Sequence, residues 1–246
     1  MSQVTAKGLP SGQLNATEAV FEAILADIVR GTHPPGSRLP AERELARLLG
    51  ASRPTLREAL RRLVAWQLVD ARRGSGVVVR PCREWSVEVL PAYLRYGVGA
   101  NQPPAALVLA DALAVRRSML YEIIELVTAR IPPGGTERAR EAARQAWALR
   151  HDGLAYSAAD LEVTRGLVEA AEFLPALWLL NRLGSVFDEL MSAFGPLVRP
   201  PPDYLETHGR LFDAIEADDT ALAVSIARAH FETHDRELTA FLEAAL

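Results

Sequence analysis

The feature that most constrains this chain is the stretch LPAERELARLLGASRPTLREALRRLVAWQLVDARRGSGVVV, residues 39–79. Apolar residues recur there at helical spacing twice in succession, then gather on both sides of a Gly-rich bend. The first of these helices is expected over about 41–49, with Leu45, Leu48 and Leu49 inward and Gly50 as the left-handed stop. Ser52 caps the next, which runs to about Trp66 and buries Leu56, Leu60 and Leu63. Pro54 fits its first turn, where backbone amides have no intrahelical partner. A hairpin follows, with its bend at residues 72–76. Upstream, Asn15 or Thr17 caps a helix whose apolar stripe is Val20, Ile24 and Ile28, ended by Gly31. Helix, short turn, helix is the arrangement that lays a second helix in the DNA major groove.

Charge supports that direction. Between Arg30 and Arg83 stand twelve arginines and four acids, a balance of +8, whereas the whole chain of 246 residues carries −4 and the remainder therefore −12. A charge run is usually a solvated face. Here the arginines fall at the head of one helix and the bend of one hairpin. Arg53 in that head suits a bidentate contact to guanine, Ser52 and Thr55 reach phosphates or base edges, and Arg57 follows one turn on. The amides of the first turn also favour a phosphate. Arg72 and Arg73 at the bend are placed to enter a minor groove or grip phosphate.

The motifs PPG, LPAERELA, SRPTLREAL and RRGSG, in that order and spacing over about residues 15–80, resemble the winged-helix DNA-binding domain of GntR-family transcription regulators. The resemblance implies DNA-contacting roles for Arg43, Ser52, Arg53, Thr55, Arg57, Arg73 and Gly74. Pro54 departs from the hydrogen-bonding residue that relatives carry, which bears on operator preference. Leu39, Leu45, Leu56, Leu60 and Leu63 are read as core.

Beyond Arg83 the pattern changes to long helical segments broken by Pro and Gly, near 85–97, 104–130, 136–150, 155–171, 174–195, 203–217 and 219–244. No alternating strand pattern appears, so an all-α bundle of about seven helices is expected. The fold class is therefore mainly α: a winged helix-turn-helix of three helices and a hairpin, then the bundle. The domains expected are 15–82 for DNA binding, 83–102 as linker and first bundle helix, and 103–246 for effector binding and dimerisation. Pro91 kinks the 85–97 helix or marks its true start.

An acidic bundle after such a domain is similar to the ligand-sensing domain of the FadR subfamily, through AVRRSMLYEIIELVTAR, AADLEVTRGLVEAAE, THGRLFDAIEADDTALA and ARAHFETH. Many members hold a divalent metal through an Asp, a His one turn later and two His from the last two helices. Those positions here are Asp160, Thr164, His208 and His230. Asp160 and residue 164 share a helix face, but a neutral threonine hydroxyl is a poor ligand for zinc or nickel. Two His and one Asp remain enough for a metal with open positions. The alternative is that the histidines hydrogen-bond Asp160 or a ligand anion without metal. Other members are metal-free and sense fatty acyl-CoA, and the WSVEVLPAYLRY and Asp160-to-Leu167 stretches resemble those, whereas Glu232 is unfavourable beside a polyphosphate. Arg116 suits a ligand carboxylate inside the bundle, with a salt bridge as its other reading. Trp147, Trp178, Phe173, Phe187, Phe194 and Phe212 are read as core.

The expectation is a ligand-responsive regulator that binds double-stranded DNA as a homodimer on a palindrome, with an organic acid or fatty acyl-CoA as effector. A metal-dependent hydrolase or lyase on Asp160, His208 and His230 lacks a visible nucleophile or general base, and no enzyme is expected. No apolar run reaches the ~20 residues of a membrane span. The N-terminus lacks the layout of a secretory signal, and Cys82 is the only cysteine, so a cytoplasmic protein without disulfides is expected.

Overall fold

The computed structural model describes residues 15–72, 76–97, 102–194 and 199–245. The chain divides into two compact units, residues 1–102 and 103–246.

The first unit opens with α1 (Ala16–Val29), capped by Asn15, whose side chain accepts from the Thr17 amide at 3.1 Å. Then come α2 (Glu42–Leu48) and α3 (Arg53–Ala65). Val20, Phe21, Ile24, Leu25 and Ile28 of α1 are buried, as are Leu45, Leu56, Leu60 and Leu63. Leu48, read as inward, is 56% exposed. With seven residues α2 has barely two turns, and its inward stripe is filled by Leu45 and Ala46. Arg62 ties α3 to α1: its guanidinium lies 3.9 Å over the Phe21 ring and pairs with Glu18.

Strands β1 (Val69–Arg72) and β2 (Gly76–Val79) pair antiparallel, Val69 opposite Val79. Sequence reading missed a third participant. Leu39 donates to the Val77 carbonyl at 2.9 Å, Val79 to that of Ser37 at 2.9 Å, and Arg38 bridges Val78. The extended residues after Pro35 thus close the free edge of the hairpin, which would otherwise leave backbone groups unpaired.

The segment expected as linker and first bundle helix lies in the first unit. Two 3₁₀ turns (Cys82–Glu84 and Val87–Val89) precede α4 (Leu90–Tyr96), and Pro91 marks its first turn rather than a kink. α4 packs on α1: the Tyr96 hydroxyl donates to Glu22 at 2.8 Å, and Arg30 lies 4.9 Å over the Tyr96 ring. The Trp85 indole N–H donates to the Arg80 carbonyl at 3.1 Å. Aromatic anchors join the buried Val89, Ala92 and Leu94 in binding this segment to the winged helix.

The second unit has six helices among its described residues: α5 (Ala105–Thr128), α6 (Glu137–Ala148), α7 (Gly153–Ala170), α8 (Leu174–Phe194), α9 (Tyr204–Glu216) and α10 (Thr220–Ala245). α6 and α7 approach closely: α6 buries alanines 139, 142, 143 and 146, and Gly166 of α7 meets the Ala139 backbone. A Cβ on Gly166 would stand 3.1 Å from the Ala139 nitrogen. Phe212 is 1% exposed and belongs to the core. Trp178 does not: it is 66% exposed, since α8 turns Ala176 and Leu180 inward instead. The side chain of Phe194 lies outside the described residues.

Candidate functional sites

In the first unit the α2–α3 turn is closed by Gly50 at φ +62, with the Ala51 amide donating to the Ala46 carbonyl at 2.9 Å. Ser52 then caps α3: its Oγ accepts from the Thr55 amide at 3.2 Å and lies 2.7 Å from the Thr55 hydroxyl. This cap alters the expectation for the helix head. Pro54 has no N–H, the Thr55 amide is taken by Ser52, and the Leu56 amide donates to the Ser52 carbonyl at 3.0 Å. Of the first-turn amides, that of Arg53 remains for an anion.

Arg43, Arg53 and Arg57 are all exposed. Arg57 Nε donates to Glu42 at 2.9 Å, which fixes the guanidinium where α2 meets α3. A pair this exposed contributes only ~0–1 kcal/mol, so a phosphate can compete for it. Arg43 and Arg53 make no ion pair with any described residue. Ser52, Arg53, Thr55 and Arg57 thus gather in the first turn and a half of one helix, beside Arg43. Arg73 and Gly74 lie outside the described residues. By contrast, Arg62 and Arg80 are spent on Glu18 and Glu84 within the unit.

The second unit encloses a cavity of about 130 Å³, lined largely by Leu, Ile, Val and Phe side chains of α5, α7, α8, α9 and α10. One buried water needs about 10–15 Å³ by the same measure, so the space suits a small organic molecule. Its polar groups include Arg116, Tyr156, Asp160, Thr164 and His208. The structure therefore brings together three of the four residues singled out by sequence. His230 lines a neighbouring groove between α9 and α10, with its ring 5.0 Å from that of His208.

Arg116 is already partnered. Its Nη1 donates to Asp235 at 3.3 Å, Arg117 donates to the other oxygen of Asp235 at 2.6 Å, and Asp235 is 2% exposed. The Arg116 guanidinium lies 5.1 Å from the Phe187 ring and 5.2 Å from that of Phe231. Asp235 was missed in sequence because nothing but the packing of α10 on α5 reveals it.

Tyr204 is the larger omission. It is fully buried, its hydroxyl donates to Asp160, its ring lies 4.1 Å from that of His208, and it stacks on Trp147. Its signal was available: Tyr204 precedes His208 by four residues, one face of a single helix. Burial, reinforced by the Asp160 charge, pushes the phenols of Tyr156 and Tyr204 far above their ordinary range, so both are donors that stay protonated.

The same contacts bear on the metal implied at Asp160, His208 and His230. No group of three His, Cys, Asp or Glu among the described residues is placed to hold a metal ion. The Asp160 carboxylate is engaged by the Tyr204 hydroxyl, and the Tyr204 ring lies 4.1 Å from that of His208 and 6.2 Å from that of His230, so one phenol packs against all three groups a metal would need. Thr164 adds no nitrogen ligand. The zinc or nickel site implied by resemblance does not fit these residues.

A short helix-turn-helix with an arginine-bearing head, a paired hairpin and a separate cavity-bearing helical unit define a DNA-binding transcription regulator with an effector domain. Family comparison agrees: residues 16–79 match the bacterial regulatory proteins of the gntR family, and residues 111–233 match the FCD domain. The chain belongs to the GntR family. It is 29% identical to the HTH-type transcriptional regulator Mce2R of Mycobacterium tuberculosis, over 95% of both chains. It is 31% identical to the fatty acid metabolism regulator protein of Pectobacterium carotovorum, over 61% of this chain and 60% of that one. A solved structure described as "Lar controls the expression of the Listeria monocytogenes agr system and mediates virulence" shares the fold, with TM-score 0.59 at 18% identity, covering 92% of this chain and 98% of that one. No helix among the described residues is long and apolar enough to cross a membrane.

Proposed function

We infer that the protein is a cytoplasmic, homodimeric regulator that binds a palindromic operator and releases or tightens it when an effector enters the second-unit cavity. The observation that carries this reading is the head of α3, where exposed Arg53 stands without an ion partner among the described residues. Arg53 and Arg43 read or position DNA, Ser52 and Thr55 supply hydroxyls, Arg57 exchanges Glu42 for phosphate, and Arg73 and Gly74 add further DNA contacts. One recognition helix reads few base pairs, which favours two copies on a two-fold symmetric site.

The cavity supports an effector with an apolar body: an organic acid or a fatty acyl thioester of coenzyme A. Arg116 is the group for its carboxylate or carbonyl, and Asp160 and His208 are polar contacts. His230 acts from behind His208. A coupling of roughly 1–3 kcal/mol between the two units is enough for control. Light scattering of the complex with a selected operator, and thermal melts with acyl-CoAs and organic acids, test the reading. A monomer on DNA contradicts the dimer, and melts insensitive to every effector favour a DNA-binding protein with a non-sensing bundle.

A further inference from the structure

Resting on the second unit as an effector domain, we propose that the Tyr204 hydroxyl, rather than a metal, partners Asp160, so that the polar end of the cavity binds a hydroxyl of an organic acid directly on Asp160 and His208. Asp160 makes no ion pair with any described residue, and its compensation is the Tyr204 hydroxyl. His208 holds its Nδ1 2.8 Å from the Tyr204 carbonyl, which can only accept. Nδ1 therefore carries the proton and Nε2 is the ring nitrogen left for a ligand. A hydroxyl suits this end of the apolar cavity, because it donates to the Asp160 carboxylate and can pair with Nε2 of His208. A carboxylate in the same place meets another carboxylate, that of Asp160, and is disfavoured.

The opposite charge is also present. Arg116 lines the same cavity, and its contact to Asp235, at 3.3 Å, is longer than that of Arg117, at 2.6 Å. The guanidinium keeps further N–H donors for a ligand. Tyr156 lines the cavity with Asp160 and Arg116 and feels the charges of both. Leucine and isoleucine side chains such as Leu120, Ile124, Leu167 and Leu180 line the rest. The ligand class that fits is an organic acid with an apolar skeleton that also bears a hydroxyl: carboxylate toward Arg116, hydroxyl toward Asp160 and His208.

Isothermal titration of the full-length, tag-free, chelator-stripped protein tests this with Ni²⁺ alone and with decanoate against 2-, 3- and 10-hydroxydecanoate. The expected result is no micromolar Ni²⁺ site and at least one hydroxydecanoate binding tenfold or more tighter than decanoate. That preference is lost in Asp160→Asn and in His208→Gln, each used only if its thermal melt stays cooperative; if neither folds, the wild-type results decide alone. Stoichiometric micromolar Ni²⁺ binding, no binding of any hydroxydecanoate, or decanoate binding as tightly as all three overturns the proposal. DNA affinity of the same sample is read separately, so a failure here is distinct from failure of the regulator reading.

Discussion

The Tyr204 hydroxyl donates to the Asp160 carboxylate and so joins the first turn of α9 to the middle of α7. Removing a hydrogen bond to a charged group costs about 1.5–3 kcal/mol. Tyr204→Phe keeps the ring against Trp147 and His208 and is expected to lower stability by that amount in urea unfolding. A variant as stable as the parent would show that the bond contributes nothing.

The same phenol sets an alkaline limit. Tyr156 and Tyr204 keep their protons when folded, while unfolded tyrosines ionise near the ordinary value of 10.0. Their contribution is complete below that pH and is lost above it, at about 1.4 kcal/mol per pH unit for each tyrosine. Urea melts at pH 9 and 11 are expected to show this loss in the second unit, with about half of it absent in Tyr204→Phe.

Arg62 is an arginine of the basic segment that serves the fold. Arg62→Ala removes the Glu18 pair and the cation–π contact to Phe21 and is expected to cost about 1–2 kcal/mol. Arg62→Lys recovers less than half, because an ammonium cannot stack flat on the ring. Thermal melts of the two variants check it.

Gly166→Ala forces a Cβ against the Ala139 backbone at 3.1–3.2 Å. Helix backbones cannot yield as a side-chain tip can, so the expected cost is about 1–3 kcal/mol. Gly209→Ala, whose added Cβ meets nothing within 4 Å, serves as the control and stays neutral or gains slightly. Denaturant midpoints of both variants give the comparison.

Much of the fold was legible because helix caps and breaks are local. Asn15, Ser52, Gly50 and Pro91 each act within a few residues, and the observed helices start and end close to where those residues place them. Leu48 and Trp178 were misplaced because helical periodicity allows a wide stripe, and only the neighbouring helices decide which edge is covered. The 36–39 edge pairing and the docking of α4 on α1 rest on contacts remote in sequence, including Tyr96 with Glu22. The head of α3 was readable for the same local reason as its cap. The cavity was half readable: Asp160, His208 and Arg116 came from motif position, but Tyr204 and Asp235 gain their meaning from α9 and α10 packing on α7 and α5.

The central claim is that the head of α3 reads DNA through Arg53. It is tested most directly by fluorescence anisotropy of wild type and Arg53→Ala on a selected operator and on scrambled DNA, at fixed salt. A lost bidentate guanine contact costs about 1–3 kcal/mol, roughly 5- to 150-fold in affinity, and that loss is predicted on the operator with a much smaller change on scrambled DNA. Equal affinity of the two proteins for the operator would contradict the account.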